Sequence, residues 1–184
     1  MMKYFIETIE NIEINKNVII NETINDPNKK IITLKAYSFL FKQLDFLQIK
    51  YQSFKIIKNE FGKPLIENTN INFSISHKNN IIVVVIGLSE LGIDIEELKV
   101  RSPKLINRIS NENELETIII LGEYGAIKLF SAKEAYLKST GIGMRLNMSK
   151  LTLSHNNGFI IDEKKVLFFE YQNNNKKYVI SIAM

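Results

Sequence analysis

The chain of 184 residues carries 24 Lys and Arg against 20 Asp and Glu, a net charge of +4, and no cysteine. The lack of cysteine excludes disulfides and thiolate chemistry, and two histidines, His77 and His155, argue against a histidine-rich metal site. With 45% hydrophobic residues the chain can bury a real core, as one large domain or two small, closely packed halves.

Taken in order, residues 2–9 alternate like a strand. The run Met1–Asn11 mixes charges with apolar residues, so no leader peptide is expected and the protein is expected to be cytoplasmic. Asp26 as N-cap and Pro27 at the first helical position open a helix predicted to run to about Phe46. Strands are predicted near Phe54–Ile57, Asn72–Ser76, Ile81–Leu88 and Leu91–Ile95. The apolar run Ile81–Leu88 is far shorter than the roughly 20 residues of a membrane span. Ser102-Pro103 starts another helical stretch, and Asn113 to about Lys138 reads as one or two more helices. After Gly141-Ile142-Gly143, strands are predicted near Lys150–Leu153, Val166–Tyr171 and Tyr178–Ile182. Asn156-Asn157-Gly158 and Asn173-Asn174-Asn175 supply turns between them. The pattern is α+β, with helix and strands in each half.

Chemistry concentrates in a few segments. In Gly92-Ile93-Asp94-Ile95-Glu96, Asp94 and Glu96 are two residues apart in a β-prone run, so they leave the same face of a strand. In Lys133-Glu134-Ala135-Tyr136-Leu137-Lys138, Glu134 and Lys138 lie one above the other on a helix. At about 100° per residue they fall on the sector of Ile127, flanked by Phe130 and Leu137, at the edge of an apolar stripe. An uncompensated carboxylate there is costly, and a bound hard cation would offset the cost. The plainer readings are a solvated strand edge for Asp94 and Glu96, and a surface i,i+4 pair for Glu134 and Lys138.

Phe61-Gly62-Lys63-Pro64 sets a lysine in a loop approaching a strand. Phe73-Ser74-Ile75-Ser76-His77-Lys78 ends the next strand with hydroxyl, imidazole and ammonium groups, which suit an anion when they converge. A solvated turn is the plain alternative. A serine-hydrolase arrangement lacks its Gly-x-Ser-x-Gly elbow. The basic excess favours anionic partners, but no aromatic–basic motif, zinc spacing or basic helix speaks for nucleic acid.

In this order and spacing, the segments from Gly62 to Gly143 resemble the signature motifs of 4′-phosphopantetheinyl transferases, in the larger monomeric class that activates peptide and polyketide synthetases. The resemblance implies a pseudo-two-fold α+β fold of two similar lobes, residues 1–90 and 91–184, with the site between them. It implies transfer of the phosphopantetheine arm of coenzyme A to a serine of an acyl, peptidyl or polyketide carrier protein, with release of adenosine 3′,5′-bisphosphate. By motif position, Asp94, Glu96 and Glu134 would hold Mg²⁺. Glu134 would also be the base toward the serine, or a metal ligand only, and Lys138 would contact the pyrophosphate. Ser76, His77 and Lys63 would bind coenzyme A near its 3′-phosphate, and Lys29 and Lys30 stand where further basic phosphate ligands are found. The expected protein is a monomer without nucleic-acid or membrane partners; the alternative is a non-catalytic carrier-binding module of the same fold. Three residues depart from the motifs: Phe130 stands where tryptophan is frequent, Ser74 where asparagine is common, and Lys78 where a small residue is common.

Overall fold

The computed structural model describes residues 2–20, 23–51, 55–100, 103–142, 146–155 and 157–184. Phe54, Ser102, Gly143 and Asn156, which the sequence reading places in a strand, a helix start and two turns, lie outside that set. The fold is α+β, with strands β1 (Lys3–Thr8), β2 (Ile19–Ile20), β3 (Lys55–Lys58), β4 (Pro64–Ile66), β5 (Asn72–Lys78), β6 (Ile81–Gly87) and β7 (Gly92–Glu97) in the first half. Helix α1 (Pro27–Phe46) separates β2 from β3. The second half holds α2 (Pro103–Ile109), α3 (Leu115–Ile120) and α4 (Gly125–Thr140), then β8 (Leu153–His155), β9 (Phe159–Ile161), β10 (Lys164–Asn173) and β11 (Lys176–Ala183). No helix among the described residues is long and apolar enough to cross a membrane.

Helix α1 begins where expected. The Asp26 carboxylate accepts from the backbone N–H groups of Asn28 and Lys29 at 2.9 and 3.2 Å, satisfying two orphan donors of the first turn. Strand β6, six β-branched residues and a glycine, is the middle of a three-stranded antiparallel sheet between β1 and β5. Its alternate side chains divide two cores. Ile82, Val84 and Ile86 pack with α1, including Leu40, Phe41 and Leu44. Ile81, Val83 and Val85 pack with Ile93 and Ile95 of β7 and Tyr178, Ile180 and Ile182 of β11.

Strand β7 is the edge of a five-stranded antiparallel sheet ordered β7-β11-β10-β9-β8. Its odd residues enter the shared core, so Gly92, Asp94 and Glu96 face the other way, toward α4. Gly92 is required at that contact: a Cβ there would stand 2.0 Å from Ala135 O and 2.4 Å from Ser139 N. The β10–β11 hairpin closes through Asn174 and Asn175, both at positive φ, which matches the right-handed strand twist.

Several boundaries differ from the sequence pattern. The strand expected near Lys150–Leu153 is a 3₁₀ turn, Met148–Lys150, and β8 begins only at Leu153. Asn147 drives the turn, its side chain accepting from Ser149 N–H at 3.1 Å. The helical stretch expected from Asn113 starts earlier: Asn111 and Glu114 form a reciprocal capping box around a 3₁₀ turn that leads into α3. Gly122, at φ +79°, separates α3 from α4. Strands β2, β4 and β9 are two or three residues long, too short to leave a period in the sequence.

Candidate active site

The edges of the β1-β6-β5 sheet and the five-stranded sheet meet along β5 and β7, and serines make the join. Ser74 Oγ accepts from Ile93 N–H at 3.1 Å, and Ser76 Oγ donates to Asp94 Oδ1 at 2.9 Å. Helix α4 completes the site by laying Lys138 over the same point: its ammonium is 2.7 Å from Asp94 Oδ1 and 2.9 Å from Ser76 Oγ. A strand, a neighbouring strand and a helix thus converge on one carboxylate. Asp94 is only 5% exposed, and its second oxygen, Oδ2, is buried without a hydrogen-bond partner.

Glu96, two residues on, forms an ion pair with Lys78 at 2.7 Å, from the end of β5. Glu134 lies one helical turn before Lys138. Burial pushes its carboxyl pKa up, Lys138 pulls it back, and the charges of Asp94 and Glu96 add to the rise. The three carboxylates therefore feel one another across the helix–sheet interface. Among the described residues, no three His, Asp or Glu side chains stand close enough to hold a metal ion as they are. The donor set still suits a hard cation, because it is all carboxylate oxygen and includes the orphaned Asp94 Oδ2.

Beside this cluster, a cavity of about 310 Å³ opens between α1, the Phe61–Pro64 loop, β5 and the end of α4. Its walls are mainly apolar, with Ile32, Tyr37, Phe61 and Phe73 among them, and His77, Lys63 and Lys138 supply basic groups. Loss of solvent against the wall holds the His77 pKa below the usual histidine value, and the charges of Lys138 and Lys78 lower it further. Lys63 is lowered mainly by burial, and its ammonium donates to Ser139 O at 2.8 Å in the last turn of α4. That contact ties the Phe61–Pro64 loop to the helix, which ends at Gly141 in the left-handed region (φ +76°).

The residues singled out from sequence are thus divided between two places. Asp94, Ser76 and Lys138 form the cluster, with Glu96 and Glu134 beside it; Lys63, His77 and Lys138 line the cavity. Ser76 is buried against Asp94 and is not among the cavity-lining residues. Lys29 and Lys30 are exposed on the first turn of α1 and do not line the cavity; Lys29 stands one turn before Thr33, which does. The departures from the motifs are also placed. Ser74 bridges the sheets, Lys78 holds Glu96, and Phe130 packs against the core around α4.

Lys133 opens the helical motif, but the sequence reading gives it no role of its own. It is fully buried, donates to Glu114 Oε2 at 2.6 Å, to Ile109 O at 2.7 Å and to Met148 O at 3.0 Å, and so fastens the back of α4. Glu114, also fully buried, accepts in addition from Leu153 N–H at 2.7 Å and Asn111 N–H at 3.0 Å. The signal was present as a lysine amid the helix's apolar stripe, two residues after Ser131.

The model of the 4′-phosphopantetheinyl transferase superfamily matches residues 90–183, the stretch that contains β7, α4 and the five-stranded sheet. The chain belongs to this superfamily. Among its relatives is the 4′-phosphopantetheinyl transferase gsp of Aneurinibacillus migulanus, 29% identical over 140 residues, covering 74% of this chain and 55% of that protein. The 4′-phosphopantetheinyl transferase Sfp of Bacillus subtilis (strain 168) is 26% identical over 116 residues, 60% of this chain and 50% of the relative. The transferase psf-1 of Bacillus pumilus is 29% identical over 96 residues, 50% of this chain and 41% of that protein. The chain thus spans about half the length of the relatives it matches. Asp94, Glu96, Glu134 and Lys138 all fall inside the superfamily match, whereas Lys63, Ser76 and His77 precede it.

Proposed function

We propose that this protein transfers the 4′-phosphopantetheine arm of coenzyme A to a serine of an acyl, peptidyl or polyketide carrier protein, releasing adenosine 3′,5′-bisphosphate. The observation that carries the reading is the convergence of Ser76, Asp94 and Lys138, with Glu134 electrostatically coupled to it, at the mouth of a mainly apolar cavity with basic groups. Membership of the superfamily supports the same reaction.

In this reading the cavity takes coenzyme A, with His77 and Lys63 toward its phosphates and Phe61, Tyr37 and Phe73 against its apolar and ring surfaces. Lys29, and beyond it Lys30, extend positive charge from the first turn of α1. Asp94, Glu96 and Glu134 would hold Mg²⁺, which when bound would supply charge neutralisation to the pyrophosphate. Lys138 stabilises negative charge on the leaving phosphate. Glu134 takes the proton of the carrier serine. The serine oxygen bonds to the phosphorus of the pantetheine phosphate, the P–O bond to the nucleotide phosphate breaks, and the nucleotide leaves with the electron pair. Ser76 positions Asp94 and Lys138.

We place the boundary of two lobes near residue 90. In support, α1 covers one antiparallel sheet and α4 covers another, with the cluster at their shared edge. The protein acts as a cytoplasmic monomer. Incubation with coenzyme A, Mg²⁺ and a panel of apo carrier proteins, read by intact-mass spectrometry, tests the reading. A phosphopantetheine-sized gain on a carrier supports it; unmodified carriers throughout the panel, with coenzyme A still bound, point to a binding module without turnover.

A further inference from the structure

Lys78 is a departure with a consequence of its own. It stands at the end of β5, on the strand that also carries Ser76, and its ammonium is 2.7 Å from Glu96 Oε2. The pair is largely shielded, with side chains 28% and 12% exposed, so solvent screens it less than an open surface pair. Each carboxylate of this strand face thus holds a tethered ammonium against one oxygen, Lys138 on Asp94 and Lys78 on Glu96, while the second oxygen of Asp94 is buried and without a partner.

We propose that Lys78 is a built-in competitor of the divalent cation for Glu96, and that it weakens the protein's affinity for the metal. The inference rests on the metal reading given above. A cation held by Asp94 and Glu134 gains Glu96 Oε2 only by displacing an ammonium held by a chain that cannot diffuse away. A neutral side chain at position 78 removes the competitor. Glu96 then contributes its full charge to the cation.

The test is binding of Mn²⁺ alone to the full chain, followed by loss of the free-ion electron paramagnetic resonance signal, with and without coenzyme A. Lys78→Met is expected to bind Mn²⁺ at least about tenfold more tightly than wild type, a gain of about 1.4 kcal/mol. Lys78→Gln should act in the same direction, and Lys78→Arg should stay near wild type. Glu96→Gln should reverse the gain in the Lys78→Met background and change wild-type binding much less. Circular dichroism and thermal melting show which variants are folded, and Lys78→Gln serves if Lys78→Met is not. Unchanged or weaker Mn²⁺ binding by folded Lys78→Met and Lys78→Gln overturns the proposal, as does loss of coenzyme A affinity without a gain for Mn²⁺. Asp94→Asn separates the two levels of argument. If it abolishes Mn²⁺ binding while the position-78 variants have no effect, the metal site stands and the role of Lys78 falls. If Asp94→Asn leaves binding intact, the metal reading itself fails.

Discussion

Lys138 reaches across from α4 to place its ammonium 2.7 Å from Asp94 on β7, although Glu134 precedes it by a single helical turn. A surface i,i+4 pair would contribute only a few tenths of a kcal/mol to the helix. The observed pair instead fixes the helix to the sheet edge and leaves Glu134 with a destabilised charge.

Glu134→Gln is therefore expected to separate stability from activity. A carboxyl whose pKa is raised on folding contributes stability at low pH that is lost as pH rises through its folded value. The neutral amide avoids that loss, so with chelator present the variant should melt higher than wild type at pH 7 and gain little near pH 4. Its kcat should fall by roughly 10²–10⁴-fold, the usual contribution of a general base. Scanning calorimetry at the two pH values, with carrier-loading kinetics at saturating Mg²⁺, gives both numbers. An unchanged melting temperature at pH 7 would mean that Glu134 is solvated.

His77 predicts proton uptake on binding. Its pKa is depressed in the folded protein, so near neutrality the imidazole is uncharged, and the stability it contributes is lost as pH falls through the depressed value. A phosphate nearby would favour the cation. Coenzyme A affinity should thus rise as pH drops from about 8 toward the ordinary histidine value near 6.5. Calorimetric titration in two buffers of different ionisation enthalpy should register the proton, and His77→Gln should lose most of it.

Ser76 and His77 should separate in their effects on the ligand. His77→Ala is expected to shrink the preference for coenzyme A over dephospho-coenzyme A, because charge-assisted phosphate contacts contribute about 1.5–3 kcal/mol each. Ser76→Ala should leave that preference nearly intact and lower kcat, since its hydroxyl orients Asp94 and Lys138. Equal loss of preference in both variants would put Ser76 against the phosphate after all.

Gly92→Ala tests the close approach of β7 to α4. The added methyl would stand 2.0 Å from Ala135 O, a backbone atom that cannot turn aside. Overpacking of this kind costs about 1–3 kcal/mol and occasionally more. Urea denaturation should show a loss at or above the upper end of that range, and transfer should fall with it. A variant as stable as wild type would refute the packing argument.

Much of this site was legible because local rules govern it. Asp94 and Glu96 share a strand face, Glu134 and Lys138 share a helix face, and Asp26-Pro27 announces α1; each statement needs only neighbouring residues. What the sequence could not display is which face meets which. That Ser76 belongs with Asp94, and His77 with the cavity, depends on β5 lying beside β7, a pairing of edges from different sheets. The turn at Met148–Lys150 was hidden because Asn147 caps it with a side chain, so the run reads as strand until its hydrogen bond is known. Lys133 looked like part of the charged motif, and only burial reveals that it serves the fold.

The buried ion pair of Lys133 and Glu114 sets the rotational phase of α4. Residues 133 and 134 are adjacent, so they point about 100° apart, and whatever holds one in the interior aims the other at β7. An alanine scan of Lys133–Lys138 scored by activity alone would rank Lys133 beside Glu134, although Lys133 has its back to the chemistry. The two would part only when each variant's unfolding is measured beside its turnover: the first loses activity because the helix can roll, the second because a properly aimed helix has nothing to present.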